Sequence, residues 1–199
     1  MRVTPDRDTF LRLAADHDLV PVRVTLLGDT ETPVSVFTAL AGDDGPGFLL
    51  ESVEGGDRWA RWSFVGWDPL FTIVSDGHGT HVVGDGPDLA GDDPLEALEH
   101  VVGSMSVAHD PDLPPLHSGL VGYLGFDAVR HVEHLPNRPE DDRGLPLMVW
   151  HAVGALAAVD RFSQTVTLIR NVVPGGDPAQ AYDTAVAALE ADAATLSNA

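Results

Sequence analysis

The segment MVWHAVGALAAVDRFSQTVTLIRNV, residues 148–172, decides the fold class. Met148 to Val159 is apolar at odd and even positions alike, the pattern of one long strand buried on both faces. Asp160 to Gln164 supplies a tight turn, and Thr165 to Val172 reads as a second long strand returning beside the first. Toward the C-terminus, Asp177 is a helix cap and Pro178 suits a first turn, and a run of Ala and Leu carries that helix to the mid-190s. Toward the N-terminus, Pro136 to Arg143 is a polar loop, and Ala128 to His134 fits a helical turn. Leu120 to Phe126 is an apolar, Gly-punctuated segment, and Ala108 to Pro115 is a Pro/Asp linker. Asp93-Pro94 starts a helix to about Met105 with Leu95, Leu98 and Val101/Val102 on one side.

The first half of the chain is read in the same way. Thr4 is expected to cap a helix with Pro5 in its first turn and Phe10, Leu11, Leu13 and Ala14 as its apolar stripe. Val20 to Leu27 alternates as a strand, and Thr32-Pro33 opens a short helix through Val34, Val36, Phe37 and Leu40, broken by Gly42 to Gly47. Phe48 to Val53, Arg61 to Val65 and Leu70 to Val74 read as strands between EGGD and GWDP turns, and Gly77 to Val83 closes a hairpin-like segment. Strict βαβ alternation is missing, which disfavours a Rossmann sheet. The expectation is α+β, a mostly antiparallel β-sheet with helices on one face. A doubly buried 148–159 strand further predicts a covering layer from outside this chain.

Composition narrows the function. The chain of 199 residues carries 31 acidic against 11 basic side chains, a net charge of −20, with nine His and no Cys. So acidic a molecule has little with which to displace phosphate counterions, which excludes electrostatic nucleic-acid binding and disfavours anionic membranes. All the basic residues are Arg, as a GC-rich genome would give. Without Cys there is no disulfide framework, thiolate metal site or Cys nucleophile. MRVTPDRDTF has no apolar core of a signal peptide, and the longest uncharged run, 144–159, is shorter than the ~20 residues of a spanning helix. A cytoplasmic location is expected.

No catalytic constellation emerges. His78 and His81 fall on opposite faces of a strand, and His131 and His134 have no third ligand close in sequence. There is no nucleophile elbow, P-loop or GxGxxG. Gly119, Gly122 and Gly125 are better read as sites of close backbone packing than as a phosphate cradle. The pairs Asp43-Asp44, Asp92-Asp93 and Asp141-Asp142 lie in loops, where turn formation explains them.

Three segments together carry a family resemblance. FLLESVEGGDRWARWSFVG (48–66) resembles the LLES segment and following R-Y/W-S-F-I/V-G strand of the N-terminal domain of anthranilate synthase component I. SGLVGYLGFDAVRHVEHLP (118–136) is similar to that family's G-x-V-G-Y-x-x-Y-D…E-x-L-P segment, and 141–172 to its D-D-x-x-x-P stretch with two long strands after it. Pro33, nineteen residues before Ser52, also fits the family layout.

The resemblance implies that residues 1–199 form the regulatory domain of such an enzyme and that 175–199 is a helix leading to a C-terminal chorismate-binding domain not contained here. This chain would be half of a larger layered α/β/β/α assembly. Alone it is expected to be inactive and to contain no catalytic or metal residues, with Mg²⁺ belonging to the full-length enzyme. The implied reaction converts chorismate and ammonia to anthranilate and pyruvate, the ammonia coming from the glutamine amidotransferase component II. L-tryptophan is the implied inhibitor. Glu51 and Ser52 match the family's inhibitor contacts, Pro33 a neighbouring position, and Arg61 a pocket-lining Lys of some members across a one-residue gap. Chemically, Glu51 suits an ammonium, and Arg61 or Ser52 a carboxylate. Successive strand residues face opposite ways, so Glu51 and Ser52 reach one ligand only at a strand end or bulge, which a Glu54-Gly55-Gly56 turn would permit. Two alternatives share these features: the component I of 4-amino-4-deoxychorismate synthase, and an amino-acid-binding module without catalysis.

Overall fold

The computed structural model describes residues 1–42, 45–52, 61–76, 78–89, 91, 93–137 and 140–198. The expected Asp43-Asp44 pair, Asp92, and the end of the 48–53 strand with its EGGD turn lie outside them. In chain order the elements are α1 (Arg7–Leu13), β1 (Val20–Leu27), α2 (Pro33–Leu40), β2 (Phe48–Glu51), β3 (Trp62–Trp67), β4 (Phe71–Asp76) and β5 (Gly79–Gly84). There follow α3 (Pro94–Ser104), β6 (Leu120–Leu124), a 3-10 turn (Phe126–His131), β7 (Met148–Ala152), β8 (Ala155–Asp160), β9 (Thr165–Val172) and α4 (Pro178–Ser197).

The class is α+β, as expected, but the strands divide into two antiparallel sheets ordered β1-β9-β8-β3-β2 and β5-β4-β7-β6. They lie in two compact units, Met1–Pro69 with Ser106–Ser118 and Val153–Ala199, and Leu70–Met105 with Gly119–Ala152. The expected single strand from Met148 to Val159 is therefore two. It breaks at Val153-Gly154, with β7 in one sheet and β8 in the other. A strand cannot change sheets without freeing backbone groups, and buried Asn171 takes up those at this break. Its Nδ2 donates to the Val153 carbonyl at 2.9 Å, and its backbone N–H donates to the Gly154 carbonyl at 2.8 Å.

In the first unit, β8 is buried along its whole length. Val22, Val24, Val65, Ala157, Val159 and Leu168 share one sheet face and form a core with Phe10, Val36, Tyr182 and Leu189 of the helices. The helices thus cover one face of this sheet, as expected. Leu156, Ala158 and Ile169 on the opposite face are also fully buried, so β8 needs no cover from outside the chain. Arg170 of β9 clamps α4 through two bonds of 2.9 Å to Asp192 and also reaches Asp68 at 2.8 Å. In the second unit Phe71, Ile73, Val101, Met148 and Ala152 form the core.

Helix starts follow local chemistry. Thr32 and Ser35 cap α2 reciprocally, and Asp93 and Asp177 accept backbone N–H groups of α3 and α4. The expected Thr4 cap is corrected: Asp6 caps α1, accepting from Thr9 N–H at 2.8 Å, because Thr4 is engaged in a backbone bridge with Arg23 of β1. Of the three spaced glycines, two meet the close-packing expectation. A Cβ at Gly122 would collide with the Val149 carbonyl, and one at Gly125 would stand 2.9 Å from that of Leu147. A Cβ at Gly119 would meet nothing within 4 Å among the described residues, and its φ of +112° accounts for glycine there.

Candidate functional site

β2, β3 and β8 end together at one edge of the five-stranded sheet, with Glu51 opposite Ser63 and Trp62 opposite Asp160. Glu51 is the last residue of β2, and Ser52 follows it outside the strand. This is the strand end that a shared Glu51–Ser52 site requires, although the 54–56 turn lies outside the described residues. Both side chains are exposed.

Arg61 sits just before β3. Its Nε and Nη2 donate to the two carboxylate oxygens of Asp160 at 2.9 and 2.7 Å, a fork-on-fork arrangement. The same guanidinium lies 4.8 Å from the ring centre of Trp62 and 5.6 Å from that of Phe162. Asp160 is 3% exposed and also accepts from Phe162 N–H at 3.0 Å and Ser163 Oγ at 2.9 Å. The Arg61 bonds, aided by those of Ser163 and Phe162, overcome burial and hold its carboxyl at about 2. Its bonds to residues two and three positions on also shape the β8–β9 turn, which is closed by Gln164 at φ 54°.

Arg161, next in that turn, donates from its backbone to the Arg61 carbonyl at 3.0 Å, and from Nη2 to Glu51 at 2.7 Å. Both side chains of this second pair are partly exposed, at 42% and 37%. Strand alternation puts Leu50, Trp62 and Phe64 on the sheet face opposite Glu51. Trp62 and Phe64 stack with ring centres 6.1 Å apart. Ser63, on the Glu51 face, is 1% exposed, and its hydroxyl has no hydrogen-bond partner among the described residues.

Of the four expected site residues, the structure gathers Glu51, Ser52 and Arg61 at the strand ends. Pro33 is a buried residue of the first turn of α2, which packs on β2 and β3. Asp160, Arg161 and Phe162 were read only as turn residues. The available signal was an acidic residue ending a fully apolar strand, which must find a cation. A cavity of about 550 Å³ lies elsewhere in the same unit, lined in part by Arg2, Thr4, Asp6, Thr9, His109 and Asp110, and it includes none of the four. Among the described residues no group of three or more His, Asp or Glu is placed to hold a metal ion, and no helix is long and apolar enough to cross a membrane.

The fold is shared with a biosynthetic synthase of known structure. The crystal structure of anthranilate synthase component I from Streptococcus pneumoniae TIGR4 superposes with a TM-score of 0.52, covering 83% of this chain and 35% of that one at 20% identity. No protein-family model matches. In sequence, the chain is 40% identical over 207 residues to anthranilate synthase component 1 of Mycobacterium tuberculosis, spanning 98% of this chain and 40% of that protein. It is also 40% identical over 193 residues to that of Mycolicibacterium smegmatis and 36% identical over 185 to that of Acetivibrio thermocellus, spanning 37% of each. This chain is a relative of the anthranilate synthase component 1 proteins, and it spans about 40% of their length.

Proposed function

We propose that this chain is the regulatory, N-terminal part of an anthranilate synthase component I and binds L-tryptophan as a feedback effector. The observation that carries the reading is the meeting of Glu51, Ser52 and two arginines at an open sheet end beside exposed apolar side chains. A zwitterionic amino acid needs an anion for its ammonium, a cation for its carboxylate and an apolar surface for its side chain. Glu51 supplies the first, and Phe162, 86% exposed in the adjoining turn, offers the third. Pro33 shapes the neighbouring helix start. The names of the relatives favour the anthranilate branch over 4-amino-4-deoxychorismate synthesis.

In this reading the whole protein converts chorismate and glutamine-derived ammonia, delivered by component II, to anthranilate and pyruvate. Mg²⁺ in this reading belongs to the full-length enzyme, with its chorismate-binding domain. The 199 residues bind the effector and do not themselves turn over chorismate. Tryptophan acts by binding one arrangement of the enzyme better than another. Calorimetric titration of L-tryptophan into the chain should give binding that weakens at least tenfold in Glu51→Gln and Ser52→Phe. Absence of heat at millimolar tryptophan, or heat unchanged in both variants, overturns the assignment.

A further inference from the structure

We infer that Arg161, and not Arg61, receives the carboxylate of the effector, and that the Glu51–Arg161 ion pair opens to admit a zwitterion. The inference rests on the effector reading above and names the residue that selects α-amino acids. The two arginines stand side by side, joined by the 3.0 Å bond from Arg161 N–H to the Arg61 carbonyl, yet their side chains are in different states. Arg61 spends Nε and Nη2 on both oxygens of a carboxylate that is 3% exposed. Drawing it away would leave Asp160 buried without its counter-ion, which a weak ligand cannot offset. Its charge is already matched, and its place over the Trp62 and Phe162 rings fixes it further.

Arg161 is bound to Glu51 by one 2.7 Å contact between two partly exposed side chains. Such pairs contribute little and exchange partners readily. A zwitterion offers the same two charges in complementary order, so the pair can part around it. The ligand ammonium then faces Glu51, and its carboxylate meets the guanidinium fork of Arg161. No net charge is added to a chain already at −20, so the field that repels free anions does not oppose binding. An amine without carboxylate leaves Arg161 unmatched, and an acid without ammonium leaves Glu51 unmatched; each must break the pair for half the return. Arg61 and Asp160 are positioning residues, since they hold the backbone from which Arg161 projects.

The test titrates L-tryptophan, tryptamine and indole-3-propionate into the unmodified chain and into Arg161→Met, Arg161→Lys and Glu51→Gln, with circular dichroism confirming folding. The unmodified chain should prefer tryptophan to either analogue by at least tenfold. Arg161→Met should lose at least tenfold in tryptophan affinity and bind tryptophan and tryptamine alike, with Arg161→Lys recovering part of the preference. Glu51→Gln should erase the preference over indole-3-propionate. Unchanged discrimination in Arg161→Met, alongside weakened binding in Glu51→Gln, overturns the role of Arg161 and leaves the effector site standing. Tryptophan binding indifferent to Glu51→Gln and Ser52→Phe as well overturns the site itself, and with it this inference.

Discussion

β7 and β8 come from one uninterrupted apolar stretch, yet they end in different surroundings. β8, ALAAVD, is buried at every position, whereas β7, MVWHA, is fully buried only at its two ends. The sheet that holds β8 has α1, α2 and α4 against one face, and its core runs from Phe10 and Val22 to Leu189. The sheet that holds β7 packs its smaller core with α3, and its unit leaves Tyr123, Leu124, Phe126, Val132 and Leu145 exposed. Apolar composition therefore sets which residues are able to be buried. The elements laid over each face decide which of them are.

The largest effect separating the two regions should come from Arg170→Ala. This arginine and Asp192 are mostly buried, and burial already raises the Asp192 carboxyl despite the attraction of Arg170. Removing the cation strands a buried carboxylate and should cost about 3–5 kcal/mol in urea unfolding at neutral pH. Because the stranded Asp192 would bind a proton more readily, the loss should shrink as pH falls. Arg170→Met with Asp192→Leu should restore most of the stability; no recovery would show that the clamp acts by some route other than charge pairing.

Ile73→Ala asks the same of the four-stranded sheet. Ile73 is fully buried between β5 and β7, and its truncation should cost about 2–4 kcal/mol. Native-state hydrogen exchange should show the loss in β4 and β7 amides. Equal loosening of β8 and β9 would erase the distinction between the two regions.

The elements that were legible in the sequence are those governed by neighbours in the chain. Thr32-Pro33, Asp93-Pro94 and Asp177-Pro178 mark helix starts because capping is a bond to an N–H two or three residues away. The 20–27 and 165–172 strands are legible from their side-chain patterns. The break at Val153-Gly154 was not legible, since it depends on Asn171, which arrives from β9 to take up the freed carbonyls. Thr4 was misread for the same reason: its partner, Arg23, lies on another element. At the candidate site Glu51, Ser52 and Arg61 stood out through the family resemblance. Arg161 did not, because its importance comes from a contact with Glu51 across 110 positions of sequence.

A smaller effect concerns the sheet end itself. Asp160 titrates at about 2 in the folded chain against 3.8 ordinarily, so its contribution is fully present above about pH 4. It is lost as pH falls from there through 2, because protons then bind the unfolded chain more readily than the folded one. Allowing for solvent screening around the half-exposed Arg61, the loss should be about 1–2 kcal/mol. Acid unfolding of Asp160→Asn should show a correspondingly flatter slope over that window. The same slope in both proteins would mean that other carboxylates govern acid stability.

The smallest expected effect is the sharpest check on the contrast between the two sheets. Phe126 in the second unit is 90% exposed and Phe10 in the first is fully buried, so truncating the two rings should have opposite consequences. Phe126→Ser removes a ring that touches mostly water in the folded and unfolded chain alike, and should change stability by less than about 0.5 kcal/mol. Phe10→Ala, by contrast, deletes a ring packed 5.1 Å from that of Tyr182 and falls in the range of about 3–5 kcal/mol. Urea midpoints of the two variants, measured at equal slope, give the comparison directly. If Phe126→Ser costs more than about 1 kcal/mol, the ring is covered in solution and the contrast with Phe10 narrows.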